Sequence, residues 1–167
     1  TFVGLYPIIY LTGNNAVPNG LSIEINKNTY LNTSEKFMRI IGGKYKGRIF
    51  KPNKKFKSRP TTDIAKEGLF NILENRYNFE DKTVLDLFSG TGSIAYEFVS
   101  RGCREVTLVE KNFTHYKYIL EIIDKLKIKN ANVYKADVFK FIAKYKGSFD
   151  FIFCDPPFDL SNLQEIP

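Results

Sequence analysis

Leu85-Asp86-Leu87-Phe88-Ser89-Gly90-Thr91-Gly92-Ser93-Ile94-Ala95 decides the fold. An apolar run enters a Gly-x-Gly turn and resumes as small and apolar residues at helical spacing, the pattern of a strand turning tightly into a helix. The same alternation continues downstream. Strands are expected at residues 83–88, 105–110, 131–134 and 149–154, with helices at 93–100, 113–126 and 138–145. Successive βα units of this length predict an α/β, Rossmann-like fold: a parallel sheet with helices on its faces. In such a sheet ligands lie beyond the carboxyl ends of the strands.

The glycine turn alone does not select a cofactor. It satisfies Gly-x-Gly-x-x-Ala, and Glu110 stands twenty residues beyond Gly90, as an acid on the ribose of a nicotinamide cofactor would. Asp86 argues against that dinucleotide. A carboxylate just before the loop repels a diphosphate, whereas S-adenosylmethionine carries no phosphate and offers an ammonium and a sulfonium. S-adenosylmethionine is therefore the expected cofactor. Phe88, Gly90 and Gly92 form the loop that receives it, Glu110 accepts from the ribose hydroxyls, and Asp137 accepts from the adenine amine with Val138 beside the ring. The bland alternatives are a loop cap for Asp86, a solvated strand-end charge for Glu110 and a helix N-cap for Asp137.

Asp155-Pro156-Pro157-Phe158 ends the last strand. Two prolines remove two N–H donors and fix φ, so this loop is stiff and presents acceptors. Asp155 and the Pro156 carbonyl suit the two hydrogens of an exocyclic amine on a planar ring; Pro157 stiffens the turn and Phe158 offers a stacking surface. These four are the expected catalytic residues. Asp-Pro-Pro is also a common turn, and Phe158 a candidate core residue. Cys154 is read as a packed strand residue rather than a nucleophile.

Composition narrows the class. The chain has 167 residues with 43% hydrophobic and 15% aromatic content, which suits one globular domain. No apolar run reaches the ~20 residues of a membrane span. Two cysteines far apart match no paired metal-ligand spacing, so neither a metal nor a disulfide is expected, and a reducing cytoplasm fits. The single histidine, His115, is read as an ordinary helix-surface residue. The net charge of +7 is local: nine basic residues and no acid lie from Arg39 to Arg59, leaving 16 basic against 18 acidic elsewhere. Interleaved with Tyr45, Phe50 and Phe56, they suit a phosphate-rich partner better than a merely solvated face.

Three segments follow: 1–37, neutral overall and partly Gly/Asn/Pro-rich; 38–60, a basic β-arm opening at Met38, the only methionine; and 61–167, the βα domain. The first segment is an upstream extension, an appended piece or the tail of another domain. Arg59-Pro60-Thr61-Thr62-Asp63 supplies a turn and a helix start, with Ile64, Ala65, Leu69, Ile72 and Leu73 at helical spacing behind it.

Four motifs in order resemble the bacterial 16S ribosomal RNA guanine-N2 methyltransferases: Arg39-Ile-Ile-Gly-Gly-x-x-x-Gly-Arg48; Arg59-Pro-Thr-Thr-Asp63 with Lys66-Glu67 and Leu69-Phe-Asn71; Asp86-Leu-Phe-Ser-Gly-Thr-Gly-Ser93; and Asp155-Pro-Pro-Phe158. The resemblance implies a class I S-adenosylmethionine-dependent methyltransferase fold and cytoplasmic action, as a monomer, on small-subunit rRNA in an assembly particle. It implies RNA contacts by Arg39, Lys44, Lys46, Arg48 and Arg59. It also implies further strands beyond Pro167, whose absence would leave the Asp155 strand with an open edge. The residues themselves leave three alternatives: an adenine-N6 or cytosine-N4 methyltransferase, a non-catalytic RNA-binding module of the same fold, and a dehydrogenase.

Overall fold

The structure is a computed structural model that describes residues 8–11, 37–52, 56 and 61–156, the first four as backbone only. Within it β4 (Thr83–Leu87), α2 (Ser93–Ser100), β5 (Glu105–Glu110), α3 (Phe113–Leu126), β6 (Ala131–Lys135), α4 (Val138–Lys144) and β7 (Phe151–Cys154) alternate as expected. They follow β1 (Ile8–Leu11), β2 (Met38–Arg39), β3 (Ile49–Phe50) and α1 (Asp63–Glu74). The main sheet has the order β1-β7-β4-β5-β6, with β4 parallel to both β5 and β7 and β5 parallel to β6. This is the Rossmann-like arrangement.

Period-two alternation divides the core. Val84, Val106, Leu108, Phe151 and Phe153 face one side, where α1, α2 and α3 bring Phe70, Phe98 and Ile119. Leu85, Leu87, Val109 and Cys154 face the other, where α4 brings Val138 and Phe141. Asp86 shares the Val84 face and is thereby aimed beneath α2.

One expectation is corrected. The outer edge of β7 is not open: β1 pairs with it antiparallel, Ile8 opposite Cys154 and Leu11 opposite Phe151. The physical reason is that a strand edge offers unpaired N–H and C=O groups to any extended segment within reach, and Ile-Ile-Tyr-Leu has high β-propensity. Strand ends differ from expectation by a residue or two, as at β7, which begins at Phe151.

The arm forms as a short hairpin, Met38 opposite Phe50 and Arg39 opposite Ile49. Its turn docks on the C-terminal end of α2. Lys44 N donates to Ser100 O at 2.7 Å and Tyr45 N to Ser100 Oγ at 2.9 Å. Gly43, at φ +69, permits this approach, since a Cβ there would lie 1.9 Å from Ser100 O.

Candidate functional site

The loop leaving β4 is pinned to β5. Ser89 N donates to Val109 O at 3.2 Å, and Val109 N donates back to Ser89 Oγ at 3.1 Å. Phe88, Gly90 and Gly92 all adopt positive φ (59°, 55° and 77°). For Phe88 that is an uncommon conformation, held with its ring edge-on to Phe139. At Gly92 a Cβ would come within 2.7 Å of the Tyr96 ring, so both conformation and space demand glycine.

Glu110 closes the loop. Its Oε2 accepts from Gly90 N at 2.8 Å and its Oε1 from Asn112 N at 2.7 Å. β7, β4 and β5 lie side by side, Leu87 opposite both Cys154 and Val109, so Asp86, Glu110 and Asp155 stand at one carboxyl edge of the sheet, and Asp86 feels the charge of the other two. Burial, then Asp155, then Glu110 hold the Asp86 carboxyl well above the usual carboxylate range. Among the described residues, Asp86 Oδ2 and Ser93 Oγ are buried without a hydrogen-bond partner. Orphaned acceptors facing an acidic surround fit a ligand that brings positive charge and N–H donors, as the ammonium end of S-adenosylmethionine does.

Asp137 follows β6 beside the end of β5, where Ala136 N donates to Glu110 O at 3.2 Å. Asp137 caps α4 by accepting from Lys140 N at 3.3 Å, and it pairs with Lys111 Nζ at 3.0 Å. The hydrogen bond from Lys111 leads the causes that lower its pKa. Val138, the first residue of α4, is buried. Asp155 is half-buried at the end of β7 and Pro156 is buried; Pro157, Phe158 and Arg59 lie outside the described residues. Burial pushes the Cys154 thiol up to about 12, which suits a packed residue and not a nucleophile.

His115 is not the surface residue that its helical setting suggested. It stacks on Phe56 with ring centroids 4.4 Å apart, and its Nδ1 lies 3.7 Å from Glu110 Oε2. Phe56, 1% exposed, also meets Tyr118 edge-on. The basic segment therefore reaches the glycine loop through an aromatic residue. The only signal in the sequence was the helical phase of His115 and Tyr118, one turn apart.

The arm cations are split. Arg39 pairs with Asp63 (Nε to Oδ2, 2.9 Å), Lys44 lies over the Tyr45 ring at 5.3 Å, and Lys46 and Arg48 are exposed. Because the arm's turn docks at Ser100 and the glycine loop adjoins Ser93, the eight residues of α2 separate them by about 12 Å.

Residues 38–166 match the family described as conserved hypothetical protein 95. The chain belongs to that family. Family relatives include the ribosomal RNA small subunit methyltransferase D of Buchnera aphidicola, 37% identical over 129 residues, which span 77% of this chain and 65% of that protein. The putative rRNA methyltransferase YlbH of Bacillus subtilis is 35% identical over 133 residues, covering 77% and 71% of the two chains. The solved structure of the putative methyltransferase yhhF from Escherichia coli superposes with a TM-score of 0.69 at 31% identity, over 77% of this chain and 68% of that one. The chain spans about two thirds of the length of these curated relatives.

Proposed function

We propose that the protein transfers a methyl group from S-adenosylmethionine to the exocyclic N2 amine of a guanine in 16S ribosomal RNA. The observation that carries this reading is the convergence of Asp86, Glu110 and Asp155 on a glycine loop with orphaned buried acceptors. A diphosphate cofactor would meet repulsion there; a cationic methyl donor is attracted. The names borne by relatives over most of this chain point to rRNA as the acceptor.

When bound, S-adenosylmethionine supplies an electrophilic methyl group. In this reading Asp86 draws its ammonium, Glu110 takes the ribose hydroxyls and the positive-φ loop leaves room for its backbone contacts. Asp155 and the Pro156 carbonyl would hold the two amine hydrogens and aim the nitrogen lone pair at the methyl carbon; as the N–C bond forms the sulfonium S–C bond breaks with its electron pair left on sulfur, and the charge on nitrogen is relieved by loss of one amine proton to Asp155 or water. A guanine inside structured RNA must be flipped out to reach them.

The experiment is Asp155→Ala, assayed for methyl transfer to undermethylated small-subunit particles and for cofactor binding by calorimetry. Transfer is expected to vanish while binding persists. Normal turnover by the variant would sink the mechanism. Mass spectrometry of the product nucleosides tests the base, and N6-methyladenosine or N4-methylcytidine would replace guanine in the reading.

A further inference from the structure

The hairpin turn that carries Lys44 and Lys46 is fixed about 12 Å from the glycine loop, at the other end of α2, so these lysines do not line the candidate cofactor site. The carboxyl edge of the sheet carries a second cationic feature. Phe113, the first residue of α3, is 52% exposed, a large apolar ring left in solvent three residues after Glu110. Two lysines from different elements lean on it: Lys117 Nζ lies 4.8 Å from the ring centroid and Lys135 Nζ lies 5.1 Å from it. Lys135 ends β6 opposite Glu110, so the ring stands at the rim of the candidate cofactor site.

An i, i+4 lysine beside an aromatic residue is ordinary helix-surface packing. The ammonium of Lys135, brought from the neighbouring strand, is not explained that way. An exposed ring among lysines on flexible stems matches how proteins hold single-stranded nucleic acid: the base stacks on the ring and the ammonium groups move to the flanking phosphates.

We infer that Phe113, with Lys117 and Lys135, is a stacking platform for an unpaired nucleotide of the RNA beside the target base. The inference rests on the proposed RNA methyltransferase function and adds a contact that the arm does not supply. It divides the work on RNA. The hairpin turn of the arm grips backbone at a distance, and the platform fixes the strand where the reacting base must turn in.

The test is fluorescence anisotropy with a labelled 12-nucleotide single-stranded RNA, titrated at two salt concentrations, alongside calorimetry with S-adenosylmethionine. Phe113→Ala is expected to weaken RNA binding about tenfold, Phe113→Trp to preserve it, and neither to change cofactor affinity. Lys117→Ala with Lys135→Ala is expected to flatten the salt dependence by roughly 0.7 in slope per lost phosphate contact. Phe113 is exposed, so both of its variants should melt with the parent. Unchanged RNA affinity in Phe113→Ala overturns the platform while leaving the methyltransferase reading intact. So does a tryptophan variant as weak as the alanine one, or a loss of cofactor affinity in Phe113→Ala, which would assign the ring to the cofactor. Failure of the parent protein to bind RNA at any salt would instead strike the rRNA reading, and the platform with it.

Discussion

Lys66 Nζ lies 3.1 Å from Glu97 Oε1, and both side chains are fully buried. The same Oε1 accepts from Ile41 N at 2.9 Å, while Glu97 Oε2 takes the Arg101 guanidinium. Lys66 also donates to Arg39 O and lies 3.3 Å from Asp63. One glutamate on α2 thus joins α1, the arm and the last turn of its own helix. Glu97→Ala leaves two cations short of a partner in low dielectric and should cost about 3–5 kcal/mol. Urea denaturation measures it. Adding Lys66→Met should recover part of the loss; strictly additive effects would show that the pair is not coupled.

Asp86 makes stability depend on pH in a defined direction. Its pKa in the folded protein lies above the ordinary 3.8, because burial, then Asp155, then Glu110 penalise its charge. The native state therefore holds the proton more tightly than the unfolded chain. The contribution of Asp86 to stability falls as pH rises from about 3.8 through the raised value, and is level above it. Asp86→Asn should be more stable than the parent near pH 7 and lack that part of the slope in thermal melts. A cationic ligand favours the ionised form, so at a pH below the raised value cofactor binding should release a proton. Calorimetry in two buffers of different ionisation enthalpy reads that release, and buffer-independent heat would contradict it.

Tyr96 is 1% exposed and its hydroxyl has no hydrogen-bond partner among the described residues. Burial leads the causes that push its pKa well above the usual range, followed by the neighbouring Tyr118 and Asp86. Removing an unpaired buried hydroxyl while keeping the ring relieves a desolvation cost of about 1–3 kcal/mol. Tyr96→Phe should match or exceed the parent in denaturation midpoint. A drop of more than about 1 kcal/mol would mean that a hidden water or ligand group satisfies the hydroxyl.

Much of this was legible in the sequence for physical reasons. The glycine loop and the alternation of Thr83–Cys154 are local signals: each strand is a short apolar run, the helix start read at Thr61-Thr62-Asp63 is made by Thr62 Oγ1 accepting from Ala65 N, and Asp137 caps α4 as its bland reading allowed. The grouping was read only in part: the carboxyl edge of a parallel sheet suggested Asp86 and Glu110 together with Asp137, whereas the other acid whose charge reaches Asp86 is Asp155, on the adjacent strand β7. Three features were not readable. The contact of Phe56 with His115 crosses 59 residues and leaves no periodic trace. The docking of the arm at Ser100 depends on Gly43, a glycine that also reads as a simple turn residue. The pairing of β1 with β7 joins residues 140 to 146 positions apart, and strand pairing at that distance is chosen by which edge remains open.

That pairing gives the last prediction. Without β1, the N–H and C=O groups on the outer side of Phe151–Cys154 would face solvent beside the acid expected to hold the substrate amine. An open edge of this kind exchanges its amide hydrogens quickly and templates association between chains. Deleting residues 1–12 should therefore speed hydrogen exchange across β7 while leaving β4 and β5 protected, since those strands keep both neighbours or lose none of them. The truncated protein should also associate as its concentration rises, which light scattering measures. If β7 exchanges at the parental rate and the protein stays monodisperse, β1 is not what covers that edge in solution.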